Sequence, residues 1–469
     1  MLALRPIRRL ALAALALGLP LTAPARATDY DAAARSARSL LDTLVAADTS
    51  NPPGNEARAA AIGAERLAAA GIAFERYAFA PGRENLVARL RGDGSKRPLL
   101  VLAHIDVVGA DGQAWSSNPH VVTEQDGSLV GRGVSDDLGM AALALEVLVL
   151  LQREQTPLAR DVILAWTGDE ESGGGGIRWL LEHEPDAVAA EIALNEGGQI
   201  RLGTDSKRPT WVELQTAEKT YQDFVLVARG ETGHSSVPLA DNAINRLAAG
   251  LTRLAAYRFP ARLLPVTRAY LAARAPLEPP ERSRAMRAVA ESKGALPKQA
   301  LAVLDADPVL AASLRTTCVA TLLSAGTRVN ALPAEARATL NCRILPDETP
   351  AAVQATLAKR LADAKIEIQP SEEFGFGTPS PLEGPAPAAI AKVTQAIWPG
   401  LPIVPFMSRG ATDSRFLRTR GVAAYGIAPI PLTDDDARRE HGVDERIPDW
   451  GLRTGVEFLH RLVVELAGR

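Results

Sequence analysis

The sequence predicts an α/β fold, in which a mixed and mainly parallel sheet is flanked by helices and interrupted by an inserted α+β domain. Three observations lead there. Short apolar runs at residues 99–103, 162–166 and 192–194 read as strands buried on both faces. The longer apolar stretch 140–151, between the first two, has the length of a helix. The pattern changes near residue 211 and returns near 378, so the α/β part is discontinuous. At 469 residues the chain also exceeds the usual reach of one hydrophobic core.

Taken in order, residues 1–27 stand apart. Arg5, Arg8 and Arg9 precede the apolar run 10–19, and Ala25-Arg26-Ala27 follows as a small-x-small cleavage pattern. The segment reads as a signal peptide, directing the protein to the periplasm or outside the cell. A retained N-terminal anchor is the alternative, and Arg8-Arg9 leaves twin-arginine export open. No later stretch offers about 18 uncharged apolar residues, which argues against a membrane span. Residues 28–210 and 378–469 form the expected α/β domain, whose second part holds a helix at 387–397, a strand at 422–427 and a helix at 452–466. Residues 211–377 form the insert. Within it, 211–216 and 224–227 suggest strands, 242–254 a helix, and 316–323 with 336–344 a hairpin. A Pro, Arg and Ala rich stretch near 256–310, with a helical patch at 282–290, reads as an elaboration of that insert.

Charge narrows the function classes. Loss of residues 1–27 removes four arginines and no acid, moving the formal charge from −3 to −7, and no basic block with interleaved aromatics occurs. Nucleic acid is therefore an unsuitable partner. Cys318 and Cys342 are too few to build a zinc knuckle. They stand at mirrored distances around Asn330 in the expected hairpin, so they can face each other and oxidise outside the cytoplasm.

His104, Asp136, Glu171, Glu196 and His441 each lie at the expected end of an apolar strand or in a loop after one. Open α/β sheets bind ligands at the carboxyl ends of their strands. Two histidines and three carboxylates suit two divalent ions better than one, because one carboxylate can bridge while each ion keeps two ligands of its own. That points to a two-metal hydrolase. The alternation of extended chain puts His104 and Asp106 on one side, so Asp106 would orient the imidazole; a surface hydrogen-bonded pair is the plainer alternative. Asp136, in the loop Gly131-Arg132-Gly133-Val134-Ser135-Asp136-Asp137, is the expected bridge, with Asp137 as helix cap or supporting group. Plain N-capping would need no metal. Asp169-Glu170-Glu171, followed by Ser172 and four glycines, is costly without cations unless it is an exposed acidic turn. Glu171 would bind metal, while Glu170, uncoordinated, would take a proton from water and pass it to the leaving nitrogen.

Together, His104-x-Asp106, Gly131-Arg132-Gly133-x-x-Asp136, Asp169-Glu170-Glu171, Glu196-Gly197 and His441-Gly442-x-Asp444-Glu445 resemble the M20 family of co-catalytic zinc peptidases and aminoacylases, over essentially the whole mature chain. The resemblance implies two zinc ions, replaceable by cobalt or manganese. Asp136 would bridge them, His104 and Glu196 complete one site, Glu171 and His441 the other, with Glu170 as general base and Asp106 supporting His104. The resemblance also implies that the insert is a lid and often a dimerisation domain, so a homodimer is expected. Gly230-Glu231-Thr232-Gly233-His234-Ser235-Ser236 resembles the lid-histidine segment, and His234 would stabilise the oxyanion, from the other subunit in dimeric members. Arg328-Val329-Asn330-Ala331-Leu332-Pro333 and Asn341-Cys342-Arg343-Ile344-Leu345-Pro346 resemble segments in which Asn330 would contact substrate and Arg343 its carboxylate. Gly410, in Ser408-Arg409-Gly410-Ala411-Thr412-Asp413, would contact substrate through its backbone. Leu138 departs from the pattern, since many members carry a lysine there, which bears on subfamily and substrate. The expected protein is thus an exported two-zinc hydrolase cleaving an amide next to a free α-carboxylate in a small peptide or N-acyl amino acid. A zinc aminopeptidase, or a non-catalytic periplasmic peptide-binding protein on the same scaffold, are the rivals.

Overall fold

The computed structural model describes residues 28–203, 207–371 and 377–469; the expected signal peptide, residues 1–27, lies outside them. The largest sheet has eight strands, in the order Ile403–Ser408, Pro209–Glu218, Ala423–Leu432, Ile192–Leu202, Leu99–His104, Val162–Thr167, Arg83–Leu90 and Phe74–Ala80. The four from Ala423–Leu432 to Val162–Thr167 run parallel. Arg83–Leu90 and Phe74–Ala80 are added antiparallel, as is Pro209–Glu218, which runs parallel only to Ile403–Ser408. This is the mixed, mainly parallel α/β sheet that the sequence predicts.

Leu99–His104 and Val162–Thr167 are buried at every position because helices cover both faces, which is why they read as continuous apolar runs. On one face Tyr30–Ala46, Leu138–Glu154 and Gly451–Ala467 pack against Leu99, Val101, Leu164 and Trp166. On the other, Gly175–His183 and Ser414–Thr419 cover Leu100, Leu102 and Ile163. Leu138–Glu154 is apolar on nearly all sides, as a helix enclosed by its neighbours must be. Leu138, where the lysine of the family pattern would stand, is part of that core.

Two expected boundaries move. The strand at 211–216, assigned from sequence to the insert, belongs to the large sheet as part of Pro209–Glu218: Val212 and Leu214 bury in its core and its backbone pairs with Ile403–Ser408. The smaller sheet begins at Thr220. The strand at 192–194 continues to Leu202, so Glu196 lies within a strand rather than beyond its end. The polar and glycine residues that signalled a stop produce an irregular register instead. Gly197 there has φ +118°, and the side chain of Gln215 occupies the place a Cβ would need, so glycine is required on both counts.

The smaller sheet, Thr317–Ala325, Glu335–Ile344, Thr220–Arg229 and Ile366–Pro370, is antiparallel throughout. Helices Ala243–Ala255 and Pro350–Leu361 pack on it around Phe224, Leu226, Leu247, Leu340 and Leu357. The expected hairpin is present, and Cys318 and Cys342 stand directly opposite each other in a disulfide. The elaboration near 256–310 consists of helices Pro265–Arg274, Pro280–Ala290, Lys298–Asp305 and Pro308–Ser313, gathered around Leu271, Met286, Val289 and Leu304. The first of them packs along Ile403–Ser408, the outermost strand of the large sheet. Among the described residues no helix is long and apolar enough to cross a membrane.

Candidate active site

The carboxyl ends of the parallel strands gather the five expected ligands. His104 ends its strand, and its Nε2 lies 2.9 Å from Asp136 Oδ1; Asp136 Oδ2 lies 3.0 Å from His441 Nε2. Glu171 Oε2 stands 3.0 Å from that same His441 nitrogen. Donor atoms of His104, Asp136 and Glu171 lie within 4.8 Å of one another, as do those of His104, Glu170 and Glu196. Residues from position 104 to position 441 therefore meet in one cluster, with Glu170 inside it.

The two supporting acids, Asp106 and Asp137, act largely through backbone groups. His104 Nδ1 meets the backbone carbonyl of Asp106 at 2.9 Å and its carboxylate only at 3.6 Å, because that carboxylate is engaged elsewhere. It accepts the backbone N–H groups of Glu170 and Glu171 and the amide of Asn51, fixing the acid loop. Asp137 precedes the helix Leu138–Glu154 but makes no capping bond; its carboxylate accepts the His104 backbone N–H at 3.3 Å. Asp169, first of the three acids, pairs with Arg83 at 2.8 Å and takes no part in the cluster. Sequence reasoning missed the task of Glu445. Fully buried, it accepts the N–H groups of Gly133, Ser135 and Asp136 and pairs with Arg132 at 2.7 Å, thereby holding the Asp136 loop.

Desolvation raises the carboxyls of Glu170, Glu171 and Glu196 above their ordinary range, and neighbouring carboxylates add to the rise. Asp136 goes the other way: hydrogen bonds from His104 and His441 overcome its burial and hold it well down. Hydrogen bonds to Asp136 and Glu171 lift His441 to about 10. The cluster is thus short of positive charge. Glu171 Oε1 is also buried with no hydrogen-bond partner. Nitrogen and oxygen donors, with one carboxylate offering an oxygen to each side, fit two divalent cations.

A cavity of about 410 Å³ lies against the cluster, lined also by Tyr221, Arg343, Gly410 and Arg415. Arg343, from Glu335–Ile344, stacks on the Tyr221 ring at 4.6 Å. Gly410 donates its N–H to Ser408 Oγ at 3.0 Å. Arg415 brings a second guanidinium that sequence reasoning missed; the only signal was its place just after the Gly410 segment. His234 and Asn330 are not brought to this cavity. Gly233–His234 pairs with Ala331–Leu332, Ser235 donates its N–H to the Asn330 carbonyl, and both side chains are exposed. His234 Nδ1 lies 2.7 Å from Ser236 Oγ.

Residues 100–465 match the family model described as Peptidase family M20/M25/M40. The human N-fatty-acyl-amino acid synthase/hydrolase PM20D1 is 29% identical over 383 residues, which is 79% of this chain and 74% of that protein. Among solved structures, the M20 family metallo-carboxypeptidase of Sulfolobus solfataricus has a TM-score of 0.71 at 18% identity, covering 92% of this chain and 98% of its own. Human carnosine dipeptidase 1 has a TM-score of 0.67 at 17% identity, covering 93% and 97%. At these identities the two structures speak to the fold alone.

Proposed function

The chain belongs to peptidase family M20/M25/M40, and on that premise we propose that it is an exported two-zinc hydrolase cleaving an amide bond beside a free α-carboxylate. Asp136 carries the reading, because its two oxygens each face a ring nitrogen of a different histidine. With Glu196 on the His104 side and Glu171 on the His441 side, these residues would hold two zinc ions, for which cobalt or manganese could substitute. Bound there, the cations would polarise the substrate carbonyl and lower the pKa of a water molecule.

Glu170 has no ligand role in this arrangement. Its carboxylate would take the proton of the attacking water and deliver it to the departing nitrogen, and Asp106 holds it in place through its backbone N–H. Arg343 would take the α-carboxylate in a two-bond fork, with the Gly410 segment beside it and Arg415 adding charge. Small peptides and N-acyl amino acids both present that amide and that carboxylate. The leader pattern in residues 1–27 and the Cys318–Cys342 bond support export to the periplasm or beyond.

His234 and Asn330 stand apart from the cluster of their own chain, which supports a homodimer in which they reach the other copy's site. The edge strand Thr317–Ala325 offers the contact, with Val319, Leu322 and Leu323 exposed at 62%, 67% and 71%. An apolar edge of this kind invites pairing with another chain.

A panel of dipeptides and N-acyl amino acids, run on chelated and zinc-restored protein, tests the reading. Zinc-dependent hydrolysis confined to substrates with a free α-carboxylate is expected. A requirement for a free amino terminus instead would make the protein an aminopeptidase. Glu170→Gln should keep its metal and lose about 100- to 10,000-fold in kcat; near wild-type turnover would remove Glu170 from its assigned role.

A further inference from the structure

Two more cavities lie beside the site, each sharing lining residues with the one before it. The first, about 210 Å³, shares Asp136, Glu196, Gly410 and Ala411 with the cleft that holds Arg343, but Arg343 does not line it. The second, about 550 Å³, shares Gly197, Gln199, Ser408 and Glu440 with the first. Helices Pro265–Arg274 and Pro308–Ser313 roof it through Thr267, Tyr270, Val309 and Ser313. The three spaces therefore lie in succession, with Arg343 in the 410 Å³ cleft at one end, the ligand cluster where that cleft meets the 210 Å³ cavity, and the roofed chamber at the other end.

We propose that the roofed chamber is a subsite for the acyl side of the substrate, and that it takes a peptidyl extension rather than a hydrocarbon chain. The inference rests on the reading above: a carboxylate at Arg343 and a scissile carbonyl beside Asp136 leave the acyl side running away through the 210 Å³ cavity. The walls set the chemical class. Arg201 pairs with Glu213 at 3.0 Å and reaches Asp434 at 3.5 Å, and Glu440 accepts hydrogen bonds from Gln199 and Ser135 at 2.7 and 3.2 Å. A hydrocarbon chain would strip water from these groups and return no hydrogen bond, whereas a peptide brings donors and acceptors. Gln199 marks the joint. Its nitrogen is committed to Glu440 while its oxygen is buried with no partner, so a substrate N–H is the group that fits. The chamber's volume lies in the range of sites that enclose small ligands.

Four substrates sharing one C-terminal amino acid test the proposal on zinc-restored enzyme: its N-acetyl form, a dipeptide, a tripeptide and its N-lauroyl form. The wild type is expected to favour the tripeptide over the N-lauroyl substrate in kcat/KM. Val309→Trp fills the chamber from a helix position that is 46% exposed. It should lower the tripeptide-to-acetyl ratio of kcat/KM by about tenfold or more, chiefly through KM. Ser313→Trp, a second plug from the same helix, gives the same reading if the first variant folds poorly. Unchanged ratios in folded variants, or a wild-type preference for the N-lauroyl substrate, overturn the subsite while leaving the activity standing. Absence of hydrolysis on all four overturns the activity and the subsite together.

Discussion

On the proposed reading, protons and cations would compete for the same atoms in the cluster around Asp136. His441 holds its proton up to about 10 through Asp136 and Glu171, and desolvation lifts Glu171 and Glu196. A cation must displace those protons. Zinc added to chelated protein at neutral pH is therefore expected to release protons, and its affinity to fall as the pH drops; calorimetry in two buffers of different ionisation enthalpy counts them, and a count of zero would contradict the ligand set. Glu440 makes the complementary case. Burial lifts it from 4.5 to about 8, so the stability lent by its protonated form is present below the ordinary value and lost as the pH rises through the higher one. The melting temperature of chelated protein should fall between about pH 5 and 8, with a smaller change once metal is bound. At this scale the sequence carried residue types and little of their tasks. His104, Asp136 and Glu171 were legible as donors at strand ends. The tasks of Asp106 and Glu445 were not, because each serves backbone N–H groups that only folding brings near, 64 residues away for Asp106 and 309 for Glu445.

Elements that bury both faces were the most legible, since a continuous apolar run such as Leu99–His104 has few other uses. Legibility failed where polarity had a local cause. The Asn195 to Gly198 segment signalled a stop, yet its strand runs on to Leu202 because Asn195 donates to Ser414 in the interior, Glu196 faces the cavities and Gly197 fits against Gln215. The strand Pro209–Glu218 leads into the insert in sequence but pairs within the large sheet, and half-buried alternation reads alike in either sheet. The hairpin of Thr317–Ala325 and Glu335–Ile344 was visible together with its cysteines, which close a sequence separation of 24. Replacing both by serine should lower the unfolding free energy by about 3 kcal/mol, read from denaturant titration. Equal stability would mean that the bond does not form. Because Cys342 precedes Arg343 directly, the KM of carboxylate substrates should rise in the same variant.

At the scale of the whole molecule, nothing in the spacing of the five ligands reveals that positions 104 and 441 meet; the ordered motifs carried that expectation, and the fold brings the side chains together. The residues expected to act as a lid follow a different logic, since folding one copy leaves His234 and Asn330 exposed on the small strand pair. If two copies complete each other, Glu170→Gln and His234→Ala, each inactive alone, should regain activity when refolded together. Verified heterodimers that stay inactive would place His234 outside the reaction. The helix Pro265–Arg274 lies against the rim strand Ile403–Ser408, which has a partner strand on one side only. Excising the helical elaboration to make a smaller enzyme would bare that rim, and the trimmed protein would tend to stack into ribbons before its chemistry could be assayed.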